Sequence, residues 1–275
     1  MEVTATPVRS ALIDPADGEA DRGDAREAAG QGSIRGLLAV DWLGRIDYRE
    51  AWTLQKHLAA ERAAGDIGDR LLLLEHPRVL TLGRGADESH ILASEAELAQ
   101  RGIEVIRVER GGEVTYHGPG QLVAYPILAL SRLGLLIRPL VRALEGAMAD
   151  TCASFGVVAD RRDGHPGCWI DPDGVGSRKI GALGLRVERG VSYHGIALNV
   201  TTDLTDFDLI DACGMPGVVS TSIAHEMGDP EGPTTDSVLA AAAVFADALA
   251  ARIGMDLEGD MPRGGWRPAA ATSGD

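Results

Sequence analysis

Cys213 lies in Asp211-Ala212-Cys213-Gly214-Met215-Pro216-Gly217, where two glycines and a proline force a tight loop after the sulfur. A thiol displayed on such a loop, with the Gly214 N–H expected to stand open beside it for a developing oxyanion, suits nucleophilic acyl chemistry. The thiolate is the nucleophile and a free thiol is mostly protonated at neutral pH, so an activating neighbour is needed. Of 26 basic residues only two are lysines, Lys56 and Lys179. Lys56 reads as a solvent-facing position in a helix. Lys179 directly follows Arg178, where arginine could have supplied charge alone. Lysine can give up its proton and arginine effectively never does, so Lys179 is the candidate activator if the fold brings it to the sulfur. Two other thiols compete. Cys152, near Met148 and Phe155 in a helical pattern, reads as core, whereas Cys168 beside Trp169 is the rival nucleophile.

The second chemistry-bearing segment is Arg110-Gly-Gly-Glu-Val-Thr-Tyr-His-Gly-Pro-Gly-Gln121. Four glycines and a proline in twelve residues predict a loop, and Gly111 and Gly112 let backbone N–H groups approach a ligand. Arg110, Thr115, Tyr116, His117 and Gln121 give that loop polar reach. His117, and His194 in Tyr193-His194-Gly195-Ile196-Ala197-Leu198-Asn199, are site candidates. His76, before Pro77, is expected to support a turn or the site rim. His57, His90, His165 and His225 read as surface residues. No paired Cys-x-x-Cys or zinc spacing occurs, and no phosphate-binding glycine motif, so neither a metal nor a nucleotide cofactor is expected.

The elements that must position these residues alternate along the chain. A strand near Leu37–Trp42 precedes a helix from Tyr48 to Ala64, announced by Asp47 with Glu50 and ended by Gly65. Strand patterns follow at 70–75, 79–82 and 102–108, with a short helix capped by Ser94 between the last two. A strand from Leu122 to Leu128 comes after the glycine loop. A long amphipathic helix runs from about Pro139 to Phe155. Further strands at 167–171, 179–188 and 192–199 include a hairpin turning at Arg189-Gly190. A final helix covers about Asp236–Ile253. The pattern predicts an α/β (mixed α+β) domain with a central, largely antiparallel or mixed sheet and flanking helices. Residues 1–35, rich in Ala, Asp, Glu and Gly, read as a disordered tail, 36–255 as one catalytic domain and 256–275 as a flexible C-terminal tail.

A net charge of −15 over 275 residues disfavours indiscriminate nucleic-acid or anionic-membrane binding. Residues 101–190 nevertheless carry 12 Arg and Lys against 10 Asp and Glu, a balance of +2 that leaves −17 for the remainder. That mildly basic middle suits an acidic partner. No export signal or membrane-length apolar run is present, so reduced thiols and a cytoplasmic location are expected.

Together these residues resemble the lipoyl(octanoyl) transferase family. The resemblance rests on Arg110-Gly-Gly-x-x-Thr-Tyr-His-Gly-Pro-Gly-Gln-x-x-x-Tyr125-Pro126. It continues through Glu75-His76-Pro77, Thr81-Leu82-Gly83, Arg178-Lys179-Ile180-Gly-Ala-Leu-Gly184, His194-Gly-x-Ala-Leu-Asn199 and Cys213-Gly214. It implies a fold like the catalytic domain of biotin and lipoate protein ligases. It implies octanoyl transfer from octanoyl-acyl carrier protein, through a thioester on Cys213, to the target lysine of lipoyl domains of 2-oxoacid dehydrogenase complexes and of the glycine-cleavage H protein. Lys179 would be the partner of the thiol. Arg110, Gly111, Gly112, Glu113, Val114, Thr115, Tyr116 and His117, with Ala182, Leu183 and Gly184 and with Gly195, Ile196 and Ala197, would line the acyl site. His76 and His194 would support it. Lys179, His117 or His194 would accept the proton of the incoming lysine. Two positions depart from the family pattern: Ala212 stands where a proline is usual, and Cys168 where an aliphatic residue is expected. An ATP-dependent lipoate ligase of the same fold is the alternative, although its glycine loop differs. A catalytically dead acyl- or lipoyl-domain-binding protein is a third reading, opposed by the presence of both Lys179 and Cys213.

Overall fold

A computed structural model describes residues 36–215, 217–228 and 235–259. The expected N-terminal tail and the last sixteen residues lie outside the described residues. The strands are β1 (Gly36–Arg45), β2 (Asp69–Glu75), β3 (Val79–Leu82), β4 (Glu104–Arg107), β5 (Val114–His117), β6 (Gln121–Ile127), β7 (Asp160–Arg162), β8 (His165–Ile170), β9 (Arg178–Glu188), β10 (Val191–Asn199), β11 (Val219–Ser220) and β12 (Met255–Glu258). The helices are α1 (Tyr48–Ala64), α2 (Glu95–Arg101), α3 (Ile137–Ser154), α4 (Ile223–Glu226) and α5 (Thr235–Ile253).

The strands form two sheets. Nine build a mixed sheet in the order β12-β1-β2-β6-β10-β9-β8-β7, with β11 alongside β9. The β1–β2, β1–β12 and β9–β11 pairs are parallel and the rest antiparallel. The mixed α/β expectation therefore holds. The C-terminal expectation needs correction: residues 256–258 are not tail but continue β12, which pairs with Gly36–Ala39 and gives β1 a second neighbour. The remaining strands form a separate small sheet, β4-β3-β5. Part of the glycine segment is thus core after all, because Val114–His117 is fully buried strand.

Local chemistry accounts for the ends of these elements. The Asp47 carboxylate accepts from the N–H groups of Arg49 and Glu50 at the start of α1, and Gly65 at φ +90° closes the helix. Along α3 the residues Leu140, Ala143, Leu144, Ala147, Met148, Thr151 and Cys152 are buried, the i+3, i+4 spacing of an amphipathic helix. They pack with α5 and one face of the large sheet, around Leu71, Leu122, Ile180, Leu198 and Phe245. The other face meets α1 through Leu72, Leu74, Val123 and Ala197. Arg189 and Gly190, both at positive φ, make the two-residue turn between β9 and β10.

Beyond Ala182 the outer edge of β9 is no longer paired by β8. The glycine segment takes that place, Gly111 N–H donating to Leu185 O at 3.0 Å. The small sheet is thereby held against the edge of the large one. The site forms at this seam.

Candidate active site

Lys179 enters from the large sheet, near the start of β9. Its Nζ lies 3.1 Å from Cys213 Sγ and 3.1 Å from Pro166 O, and sits 4.9 Å from the centroid of the Trp169 ring. The residue is buried, with its Nζ directed at the sulfur. Cys213 comes from a loop, in a 3₁₀ turn packed on the small sheet. Its loop is tied down by Asp211 N–H donating to His90 O at 2.8 Å, and Ala212 is packed with Val114 and Tyr116. Ala212 therefore anchors the loop through a buried methyl group. Cys213 itself has φ +61°, unusual for a residue with a Cβ, and remains partly exposed. One expectation fails here: the Gly214 N–H does not stand open but donates to Asp211 O at 2.9 Å.

The two remaining thiols are buried. A hydrogen bond with Cys152, reinforced by burial, raises the Cys168 thiol well above its ordinary range. The rival nucleophile is thus a protonated core residue.

A cavity of about 510 Å³ starts at the dyad. Arg110, Gly111, Gly112, Glu113, Val114, Thr115 and His117 line it, as do Ala182, Leu183, Gly184, Gly195, Ile196 and Ala197. Tyr116 is the exception among the expected lining residues. It points into the small-sheet core, where its ring meets Phe207 edge-on. Gly184 has a reason to be glycine, since a Cβ there would stand 2.7 Å from Gly111 O.

Arg110 is buried, donating to Thr81 O at 2.6 Å, to Thr81 Oγ1 at 2.8 Å and to Gly111 O at 3.0 Å. Burial lowers its proton affinity, yet a guanidinium keeps its charge, so a fixed positive group borders the cavity. Thr81 Oγ1 in turn reaches His117 Nε2 at 3.4 Å, and His117 Nδ1 meets Gln121 Oε1 at 2.8 Å. Gln121 Nε2 donates to Asn199 Oδ1, and Asn199 Nδ2 to Thr221 O. Thr221 N–H closes the chain on Lys179 O. The Gln121 amide spends its N–H groups on Tyr116 O and Asn199, so its oxygen must accept from His117. That fixes a neutral Nδ1–H ring, in line with the strong lowering of the His117 pKa by burial.

His76 is not at the rim. It is fully buried, donating from Nδ1 to Ile46 O and accepting from Tyr125 OH at Nε2, both at 2.8 Å. Burial pulls it down to about 4. It braces Tyr125, which lines the cavity with Tyr48 and His194. Sequence reasoning missed Tyr48 and Tyr125, and also Thr81 as the Arg110 brace. It also placed His90 and His165 on the surface. His165 lines the cavity, and His90 sits 3.3 Å from Glu113, packed beside Gly214. No sequence signal marks these, because each reaches the site through tertiary packing of segments far apart along the chain. Among the described residues no group of His, Cys, Asp or Glu is arranged to hold a metal.

Residues 47–243 match the family model described as lipoyl protein ligase A/B catalytic domain. An octanoyltransferase of Chloroflexus aurantiacus is 48% identical over 218 residues, covering 79% of this chain and 92% of that protein. An octanoyltransferase of Acidobacterium capsulatum is 49% identical over 217 residues, covering 75% and 87%. The chain belongs to the octanoyltransferase family. It is therefore an acyltransferase. The fold is shared more widely at low identity. A lipoate-protein ligase A bound with ATP superposes with a TM-score of 0.58 at 16% identity, covering 82% of this chain and 89% of that one. A bipartite lipoate protein ligase from Thermoplasma acidophilum gives 0.56 at 16% identity, covering 82% and 87%. Among the described residues no helix is long and apolar enough to cross a bilayer.

Proposed function

We propose that this chain takes an octanoyl group from octanoyl-acyl carrier protein onto Cys213 and passes it to the target lysine of a lipoyl domain. The acceptors would be lipoyl domains of 2-oxoacid dehydrogenase complexes and the glycine-cleavage H protein. The observation that carries the reading is the 3.1 Å approach of Lys179 Nζ to Cys213 Sγ at the edge of a cavity lined by small and apolar residues. A lysine at that distance is placed to steady negative charge on the sulfur during thioester exchange.

The sulfur of Cys213 attacks the carbonyl carbon of the donor thioester. A new C–S bond forms and the donor's C–S bond breaks. Lys179 protonates the departing thiolate and is left as a neutral amine. The target lysine then attacks the Cys213 thioester, its nitrogen forming the amide while the cysteine sulfur leaves. Lys179 takes the surplus proton and the starting state is restored. One thioester is exchanged for another in the first half, so no nucleotide is consumed. Lys179 suits the proton-accepting role better than either histidine candidate. Burial lowers His117 strongly and holds His194 near 3, which leaves both weak bases.

The octanoyltransferase relatives and the Lys179–Cys213 pair both favour this reading over the ligase alternative, since an adenylate route uses no nucleophilic thiol. Incubation with octanoyl-acyl carrier protein and an apo lipoyl domain, without ATP, is predicted to give octanoylated domain. Modification only when ATP and free octanoate are supplied would replace the transferase reading with the ligase.

A further inference from the structure

The blind end of the cavity carries a feature the reaction does not use. The rim is exposed at Ile137 and Pro166, whereas Tyr125 and His194 at the other end are almost completely buried. His194 is 1% exposed, and neither of its ring nitrogens has a hydrogen-bond partner in the protein. Its backbone is displaced as well, at φ +55°. The cause is on the neighbouring strand. Pro126 has no N–H for the ladder, so the pairing of β10 with β6 runs only from Ile196 to Asn199. The His194 N–H turns to the Gln55 side chain instead, 2.8 Å away. That turn sets the ring into the cavity wall, between the rings of Tyr125 and Tyr193.

The strand register measures the slot. Cys213 shares a wall with Ala182 and Ala197, which face each other across β9 and β10. Two rungs on, Gly184 faces Gly195, both lining the same cavity, and the next residue back along β10 is His194. Three residues of strand cover about 10 Å. With carbon–carbon bonds near 1.5 Å, an extended eight-carbon acyl chain covers about 9 Å.

We propose that His194 is the chain-length stop of this enzyme: an eight-carbon acyl group ends at its ring, and longer chains are refused because the buried ring, held between Tyr125 and Tyr193, closes the slot. The proposal deepens the octanoyl-transfer reading and rests on it. The ring is already desolvated and packed, so the penalty is the steric cost of displacing it and falls only on chains long enough to reach it. Apolar pockets discriminate a single methylene by about 10- to 200-fold, which sets the scale of the effect.

The test is a chain-length series. Octanoyl-, decanoyl- and dodecanoyl-acyl carrier proteins are given to the wild type, to His194→Gly and to His194→Asn, and kcat/KM is compared between donors within each protein. Glycine and asparagine both tolerate the positive φ, so the backbone is preserved. A ratio within one protein is also insensitive to any loss of active fraction. The wild type is expected to use decanoyl at least tenfold less well than octanoyl. His194→Gly is expected to raise the decanoyl-to-octanoyl ratio at least tenfold, and His194→Asn, which shortens the side chain without removing it, to raise it less. A wild type indifferent to length, or a ratio unmoved in both variants, overturns the proposal. A uniform loss for all donors with the ratio unchanged also overturns it and assigns the ring to the transfer step. If no donor acylates the wild type, the octanoyl-transfer reading itself fails, a distinct result.

Discussion

Lys179 Nζ and Cys213 Sγ stand 3.1 Å apart although 34 residues separate them, Lys179 on β9 of the large sheet and Cys213 on a loop packed against the small one. The pair exists only while the small sheet is docked on the free edge of β9. Charge alone would be served by arginine, but the proposed cycle needs a group that gives and regains a proton. Lys179→Arg is therefore predicted to lower kcat/KM by about 10²-fold or more, the range proton-transfer groups supply. Lys179→Met should additionally slow alkylation of Cys213 by iodoacetamide. Near-normal turnover of Lys179→Arg would reduce the role of Lys179 to electrostatics.

The three thiols should separate cleanly by reagent. Cys213 is partly exposed beside an ammonium, whereas Cys152 and Cys168 are buried against one another. Native protein is predicted to release one fast equivalent with a thiol-reactive disulfide, and three after unfolding. Cys213→Ser should lose the fast equivalent. Retention of it in that variant would mean that the core thiols are accessible.

Gly167 gives a packing test of the same pair. It has φ +134°, and a Cβ there would lie 2.4 Å from Gly181 O and 2.9 Å from Lys179 Cε. Gly167→Ala should push the lysine stem off the sulfur, lowering turnover at least tenfold and also lowering Tm. Gly68 has no atom within 4 Å of an added Cβ. Gly68→Ala should change turnover less than twofold, so equal activity in the two variants would contradict the assigned contact.

Stability should depend on pH through three buried histidines: His117, which burial holds well below its ordinary value, together with His76 and His194. His76 is pulled down to about 4 and His194 to about 3, both chiefly by burial, from an unfolded value near 6.5. Each is neutral in the folded protein, while the unfolded chain binds a proton below that unfolded value. Their contribution is thus fully present above pH ~6.5. It is lost as pH falls through the window down to about 4 and 3, each ring adding at most about 1.4 kcal/mol per pH unit to the slope. Urea unfolding at pH 7, 5.5 and 4.5 should show the decline, and His194→Asn should make it shallower. An identical slope in that variant would place the acid sensitivity elsewhere.

The dyad was legible in the sequence because its signals are local: a lone lysine after an arginine, and a cysteine on a glycine–proline loop. The hairpin at Arg189-Gly190 and the caps of α1 were legible for the same reason. The pairing of β3 with β4 and β5 into a second sheet was not, since short buried strands look alike and only docking decides which sheet they join. Tyr116 was misread as a lining residue because strand alternation turned it into the small-sheet core. Gly214 was misread because the 3₁₀ turn it closes already uses its N–H. The orphan ring of His194 follows from a proline one strand away, a relation that spacing along the chain does not carry.

The most direct measurement is peptide-level mass spectrometry of the enzyme after exposure to octanoyl-acyl carrier protein alone. The account predicts a single octanoyl group on Cys213, removed by hydroxylamine and absent from Cys213→Ser. An octanoyl group on Cys168, or a Cys213→Ser variant that still carries the labile adduct, would contradict it.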